Sequence, residues 1–282
     1  MSEIDARAAR RRFDRAAAGY SRAARLEAEV GARMLERLDY VRLDPARILD
    51  AGSGPAPQAA GLARRYPRAQ LVALDYSLPM LERARSARGW LVRLRGKEPL
   101  ALCASFERLP LAPGSIGLAW SNMALHWAAD PQAALTELQR VLEVGGLFMF
   151  STVGPDTLME LRAAAGEARV HRFADMHDVG DALVAAGFSA PVMDMEKITL
   201  TYPSDAGVLA DLRASGQTLA RRDRARGLAG RRFRAALERA GASASIEVVY
   251  GHAWKGEPRR AADGRAIVRF ERATAPGAAK LC

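Results

Sequence analysis

The sequence predicts an α/β fold, a doubly wound and mostly parallel sheet with helices on both faces. Three observations predict it. Strand-like and helix-like stretches alternate five times between residues 46 and 152. The first strand, "ARILDAG" at 46–52, runs into a Gly-x-Gly turn, and the second, "AQLVALDYS" at 69–77, carries an acid, Asp75, near its end. Short apolar runs that alternate with helical patterns are the mark of βαβ units, whose strands are covered on both sides.

Taken in order, residues 4–38 are rich in Ala, Leu, Glu and Arg at helical spacing, with Gly19 placed to split them into two helices. After the first strand, "PQAAGLARRYP" (57–67) reads as a helix closed by Pro67, and "LPMLERARSAR" (78–88) as a helix after the second strand. A weak strand is expected near 100–103 and a stronger one over "IGLAWSNMAL" (116–125). "DPQAALTELQRVLEVGG" (130–146) has Asp130 as N-cap, Pro131 at the first helical position and Gly145-Gly146 as a stop. "LFMFST" (147–152) is a fully apolar strand. Beyond it, helices are expected near 156–169 and 176–186, a strand over "VMDMEKITLTY" (192–202), a basic helical stretch over 204–241, and closing strands at 245–255 and 265–270. This divides the chain into an N-terminal helical cap (1–40), a ligand-binding core (41–154), a helical lid that includes the 192–202 strand (155–241), closing strands (242–271) and a tail (272–282).

The 282 residues are 49% hydrophobic and 26% charged, enough for a sizeable core. The two cysteines, Cys103 and Cys282, match no metal-ligand or disulfide pattern, so a reducing compartment and no metal are expected. The N-terminus "MSEIDARAARRRFD" has arginines but no apolar core of a signal peptide, and no run of about 18 apolar residues occurs. A cytoplasmic protein without a membrane span is the expectation. The formal charge is +10 and the pI about 10.3, an Arg- and Ala-rich balance that a GC-rich genome also produces. Locally, however, "RRDRARGLAGRRFRAALER" (221–239) holds eight arginines against Asp223 and Glu238, with Phe233 its one aromatic. Single-strand nucleic-acid binders interleave more stacking aromatics than that. No nucleic acid is expected, and an acidic protein partner fits the patch better.

The turn at 52–56 narrows the ligand. Gly52 and Gly54 allow a tight turn and close backbone approach, and Asp75 is placed to accept from both hydroxyls of a ribose. The dinucleotide fingerprint G-x-G-x-x-G fails, since position 57 is Pro. Asp50, just ahead of the first glycine, would repel a pyrophosphate but suits an ammonium. A nucleoside that carries an amino-acid head group fits better than a dinucleotide, and S-adenosylmethionine is such a ligand.

These residues resemble a class I S-adenosylmethionine-dependent methyltransferase: "LDAGSGPA" as the glycine motif, "ALDYS" as the ribose acid, "AWSNMALHWAADP" as the fourth-strand motif. A closer resemblance spans about residues 10–270. "FDRAAAGY", "LPMLERAR", "LPLAPGSIGLAWSNMALHW", "ALTELQRVLEVGGLFMFSTVGPDTLMELR", "HRFADMHDVGDALVAAGF", "PVMDMEKITLTYP" and "VVYGHAWK" are similar, in order, to the malonyl-acyl-carrier-protein O-methyltransferases of biotin synthesis. The glycine motif is specific only to the superfamily; the ordered set after residue 120 is more specific. The resemblance implies a Rossmann-like, seven-stranded core with a helical lid, and S-adenosylmethionine as cofactor with S-adenosylhomocysteine as product. It implies methylation of the free carboxylate of malonyl-acyl-carrier protein or malonyl-CoA. Residue by residue it implies Gly52 and Gly54 along the methionine moiety, Asp50 near its ammonium and Asp75 on the ribose. Tyr76 and Met80 would lie near the adenine and Asn122 under the sulfonium, with Arg15 and Tyr20 covering the cofactor and Arg15 pairing its carboxylate.

Two departures from the family pattern stand out. Ala56 replaces the third glycine, a mild change if its φ is negative. Ser105 in "ASFERLPL", next to Phe106, replaces the acid that accepts from the adenine amine; Glu107 is a substitute within reach. On the substrate side Arg172, with Phe173 beside it, is the first candidate to orient the malonyl carboxylate. His126 is expected to wall the substrate, with Tyr20 as a further positioning candidate, and no acid–base residue is needed because a carboxylate is ionised at pH 7. His252, Trp254 and the Met-rich "PVMDMEKI" are expected in the core. An acidic carrier would land on Arg221, Arg222, Arg231 and Arg232. The rival functions are another class I methyltransferase with a different acceptor, a relative of complex I assembly proteins that hydroxylate arginine, and a cofactor-binding scaffold without turnover.

Overall fold

A computed structural model describes residues 4–86, 98–224 and 230–257; the strand expected at 265–270 and the tail lie outside them. The N-terminal cap is three helices, α1 (Ala6–Ala16), α2 (Tyr20–Ala23) and α3 (Arg25–Arg37), with Gly19 at the expected break. Asp5 caps α1 by accepting from the Ala8 N–H at 3.0 Å. The core then alternates β1 (Arg47–Ala51), α4 (Ala59–Arg65), β2 (Gln70–Asp75), α5 (Leu78–Ser86), β3 (Leu100–Cys103), β4 (Ile116–Ser121), α6 (Pro131–Val141) and β5 (Leu142–Val153). It continues through α7 (Met159–Ala165), α8 (Met176–Ala185), β6 (Ser189–Thr201), α9 (Asp205–Ala214), α10 (Gly230–Ala240) and β7 (Ser243–Trp254).

The seven strands form one sheet in the order β3-β2-β1-β4-β5-β7-β6. β1 pairs in parallel with both β2 and β4, so the chain winds outward in one direction through β2 and β3, then in the other through β4 and β5. β7 inserts antiparallel between β5 and β6. Alternate strand residues face opposite layers. Leu49, Ala51, Leu74 and Ala119 pack with Leu135 and Leu138 of α6 and Leu183 of α8. Ile48, Leu71, Leu118 and Trp120 pack with Val30 and Met34 of α3 and Leu62 of α4. The crevice where β1 and β4 part, beyond their carboxyl ends, is the switch point at which open α/β sheets bind ligands.

Several expectations are corrected. The helix expected over 130–146 stops at Val141, because Leu142 turns extended (φ −66°, ψ 141°) and joins β5. Backbone bonds between Lys255 and Gly145-Gly146, at 2.8 and 2.9 Å, hold that stretch against the end of β7. The 192–202 strand is not part of a lid but the sheet's edge, paired along β7. Its buried–exposed alternation breaks at Asp194-Met195, both exposed, so Met193 packs on the core while Met195 does not. The 204–241 stretch is two helices, α9 and α10. α9 ends at Ser215-Gly216, where φ is +76° at Gly216, and the chain leaves the helical path.

Candidate active site

The loop after β1 is closed by backbone. The N–H groups of Gly52 and Ser53 both donate to the Leu74 carbonyl, at 2.8 and 2.9 Å, tying the turn to β2. Gly52 has φ +75°, and a Cβ there would lie 2.4 Å from Cβ of Ala124, so nothing larger than glycine fits. Asp75 reads the turn directly. Its Oδ2 accepts from the Gly54 N–H at 2.9 Å and its Oδ1 from the Ser77 N–H at 2.7 Å. Each carboxylate oxygen keeps a second lone pair, enough for two ribose hydroxyls. Ala56 sits at φ +53°, so the mild case for replacing glycine does not hold. Strain of about 1–2 kcal/mol is partly offset by burial of its methyl against Ala73 and Leu81, worth about 0.8 kcal/mol.

At the end of β4, Asn122 is held on both sides of its amide. Its Nδ2 donates to the Glu27 carbonyl at 2.7 Å and its Oδ1 accepts from Ser151 Oγ at 2.9 Å. The same Ser151 Oγ accepts from the Met123 N–H at 2.9 Å, pinning Met123 at φ +51°. That left-handed residue is backbone strain stored at the mouth of the crevice.

Two adjoining hollows trace this crevice. One, of about 40 Å³, is lined by Tyr20, Gly52, Gly54, Asp75, Tyr76, Met80, Phe106 and Asn122 together with Phe13 and Trp127. The other, of about 80 Å³, is lined by Tyr20, Asp50, Gly52, Gln58, Asn122 and Glu27. Nine of the ten residues expected from Tyr20 and the cofactor-side set other than Arg15 are thus brought together: Tyr20, Asp50, Gly52, Gly54, Asp75, Tyr76, Met80, Phe106 and Asn122. Arg15 is exposed and lines neither hollow.

Ser105 also lines neither and is exposed, because the backbone turns there. Its Oγ accepts from the Glu107 N–H at 3.2 Å, a local turn bond, and Phe106 instead enters the crevice. Glu107 is no substitute, since its Oε1 accepts from the N–H groups of Ala129 and Asp130. The adenine side is therefore a surface of Tyr76, Met80 and Phe106. Phe13, Glu27, Gln58 and Trp127 are lining residues that motif reasoning passed over. Phe13 and Trp127 were visible inside the quoted "FDRAAAGY" and "ALHW" stretches, whereas Glu27 carried no signal.

The electrostatics are lopsided. Asp50 is 2% exposed and its Oδ2 has no hydrogen-bond partner. Burial, then the neighbouring Asp75, push its carboxyl up to about 7. Burial likewise raises Glu27 to about 7 and Asp75 to about 6. Burial, with Glu27 and Asp75 nearby, pushes the Tyr20 phenol well above its ordinary value. Three desolvated carboxyls around one crevice make a site for a cation, and the orphaned Asp50 oxygen is the acceptor an ammonium would fill. S-adenosylmethionine, with a sulfonium, an ammonium and a ribose diol, fits these residues.

A second cavity of about 330 Å³ adjoins the first. The 3-10 turn Leu125–Trp127 sends its two ring side chains to different sides: Trp127 lines the crevice and His126 the second cavity. Arg172, Phe173, Thr152 and His171 line the second cavity as well. His126 packs edge-on against Phe173, with ring centres 5.6 Å apart, and its Nδ1 lies 3.4 Å from Thr152 Oγ1. Burial, then His171, lower its pKa to about 3, and burial above all lowers His171 to about 4. Both rings are neutral at physiological pH. His252 and Trp254 lie elsewhere, in a groove with Arg37 and Tyr40. Among the described residues no cluster of three His, Cys, Asp or Glu could hold a metal, and no helix is long and apolar enough to cross a membrane.

Residues 49–150 match the family model described as a methyltransferase domain. The malonyl-[acyl-carrier protein] O-methyltransferase of Gallionella capsiferriformans is 49% identical over 279 residues, covering 94% of this chain and 96% of that protein. That of a Methylovorus species is also 49% identical, covering 95% of each. Among solved structures, the YcgJ protein of Bacillus subtilis matches with a TM-score of 0.58 at 18% identity, over 82% of this chain and 99% of its own, a likeness of fold alone. With its sheet order, its cation-seeking crevice and these relatives, the chain belongs to the malonyl-[acyl-carrier protein] O-methyltransferase family of class I S-adenosylmethionine-dependent methyltransferases.

Proposed function

We propose that the chain transfers a methyl group to the free carboxylate of a malonyl thioester, giving the methyl ester that starts pimeloyl synthesis for biotin. The observation that carries this beyond family membership is the pair of cavities on either side of one 3-10 turn, with Trp127 facing the cofactor crevice and His126, Arg172 and Phe173 the acceptor side. Bound S-adenosylmethionine supplies a methyl group made electrophilic by its sulfonium. Asp75 would hold its ribose, Asp50 and Glu27 its ammonium, Tyr76, Met80 and Phe106 its adenine, with Asn122 fixed below the reacting centre.

The chain's remaining work is placement. A malonyl carboxylate is already ionised, so no base is required, and neutral His126 serves as a wall rather than a proton carrier. Arg172 would turn the carboxylate toward the crevice, and Phe173 would pack on the acyl group. Tyr20 and Phe13 close the crevice from above, excluding water from the line of transfer. The unusual Ser105 does not argue for a scaffold without turnover, because it stands outside the crevice.

An acidic carrier protein would meet the exposed arginines of α10. Arg231, Arg232 and Arg234 are exposed, and Arg222 is exposed while its Nε donates to the Ile4 carbonyl at 3.1 Å. Arg221 leaves the docking set, since it is 2% exposed and its Nε and Nη2 donate to the two carboxylate oxygens of Asp223, at 2.8 and 2.5 Å. Rescue of a biotin-requiring strain that lacks this methyltransferase tests the proposed function. Growth without biotin from the native chain, lost with Asp75→Ala, supports it; failure of the native chain to rescue contradicts it.

A further inference from the structure

Beyond His171, on the side away from His126, a further cavity of about 530 Å³ opens among α7, α9, α10 and the 217–219 segment. His171 lines both this cavity and the acceptor cavity, so it is their shared wall. Its Nε2 accepts from the Ala220 N–H at 3.0 Å, which fixes the ring in place. One part of the lining is apolar: Leu158, Leu161, Leu209, Leu212 and Phe233. The other is cationic: Arg12, Arg169, Arg213 and Arg224, with no carboxylate in the lining.

These arginines are poorly compensated. Arg224 pairs with Asp5 at 2.9 Å. Arg12 gives one N–H to the Thr218 carbonyl at 3.0 Å, and its pKa is lowered by burial and by the adjacent Arg224. Arg169 stacks over the Phe233 ring at 5.1 Å. Among the described residues no carboxylate oxygen lies within 4 Å of the guanidinium of Arg12, Arg169 or Arg213. Four arginines of one sign, Arg213 exposed and the other three half-buried, beside an apolar wall are complementary to an anion on an apolar stem.

We propose that this cavity binds the phosphopantetheine arm of the malonyl thioester, its phosphodiester on the arginines and its gem-dimethyl stem on the leucines and Phe233. The thioester end then passes His171 into the acceptor cavity. The inference rests on the proposed malonyl-thioester activity and adds to it the site that recognises the carrier's prosthetic arm. It is separate from the exposed arginines of α10, which face the carrier protein itself.

The test compares kcat/KM for malonyl-phosphopantetheine, which has the phosphate, with that for malonyl-N-acetylcysteamine, which lacks it, in the native chain, in Arg169→Ala/Arg213→Ala and in Arg213→Lys. The native chain is expected to prefer the phosphate-bearing substrate, and the double variant to lose about tenfold or more of that preference, with Arg213→Lys intermediate. Because the ratio is taken within one protein, loss of folded enzyme cancels from it. Malonyl-CoA and malonyl-carrier should lose rate in parallel with malonyl-phosphopantetheine. An unchanged preference would overturn the proposal, and so would a loss confined to the carrier-linked substrate, which would assign these arginines to protein docking. A native chain that methylates none of these thioesters would bring down the proposed activity together with the arm site; methylation with an unmoved ratio would bring down the arm site alone.

Discussion

Asp50 shows how one buried oxygen can carry a function. Its carboxyl, like that of Glu27, is held near neutrality by desolvation, so at pH 6 the crevice is largely protonated and at pH 8 largely ionised. A cation binds the ionised form, so affinity for S-adenosylmethionine should rise as pH climbs through about 7, with protons released on binding below that point. Calorimetry at pH 6 and pH 8 in buffers of different ionisation enthalpy checks this, and Asp50→Asn should flatten the dependence. Thermal stability is the poorer probe. The raised carboxyls make the free protein less stable as pH rises from about 4 to 7, while the depressed histidines His126 and His171 make it more stable as pH rises from about 3 to 6.5. At Asp75, removal of a carboxylate that accepts from Gly54 and Ser77 and would grip the ribose should cost about 1.5–3 kcal/mol of cofactor binding. Asp75→Ala should therefore weaken the dissociation constant by roughly 10- to 150-fold. Most of the crevice lining was legible because a βαβ unit fixes where its turn glycines and the acid at the end of the second strand must stand. Ser105 was misjudged because a strand-to-turn register decides which of two adjacent side chains enters the crevice, and sequence spacing left that choice open. Glu27 was missed because its role comes from a helix packing across the crevice, a long-range contact with no local motif.

At the scale of elements, the start of the chain is tied to the segment that follows α9. The Asp5 N–H donates to the Ala220 carbonyl at 2.7 Å, Ile4 bridges Arg221, and Arg224 pairs with Asp5. Arg221 also donates to the carbonyls of Glu167 and Val170, at 2.9 and 3.3 Å, joining the segment after α7 to the same seam. Arg221→Ala leaves buried acceptors without a donor and should destabilise the protein by about 2–3 kcal/mol, lowering Tm by about 5 °C or more in calorimetry. The exposed pair behaves oppositely: Arg231→Glu/Arg232→Glu should leave Tm nearly unchanged and raise KM for malonyl-carrier protein more than for malonyl-CoA. Equal effects on both substrates would remove α10 from carrier docking. The sequence treats Arg221 and Arg231 alike, as members of one charged run. Only the fold separates them, because the strand-like bridge to Ile4 buries the first and the free helix face exposes the second. The same limit explains α6, beyond whose end the chain is held by Lys255, just past β7 and more than a hundred positions away, whereas its start at Asp130-Pro131 is local and was legible.

The whole molecule combines a cation-seeking crevice with a surface rich in arginine. The ligands on its two sides have opposite charge: the cofactor brings a sulfonium and an ammonium, the thioester a carboxylate and a phosphodiester. Carrier-linked turnover should accordingly fall with added salt, through the exposed arginines, while cofactor affinity, set by buried groups, should change little. The overall topology was legible because alternating apolar strands and capped helices leave few ways to wind a parallel sheet. Of the acceptor cavity only His126, Arg172 and Phe173 were legible, and of the arm cavity nothing, since each is assembled from four or more separate segments. The most direct test of the central claim is mass spectrometry of malonyl-carrier protein incubated with S-adenosylmethionine and the native chain. The account predicts that the carrier gains the mass of one CH2, located by fragmentation on the terminal malonyl carboxylate and absent with Asp75→Ala. An unmodified carrier, despite measured cofactor binding, or a methyl group placed anywhere else, would contradict it.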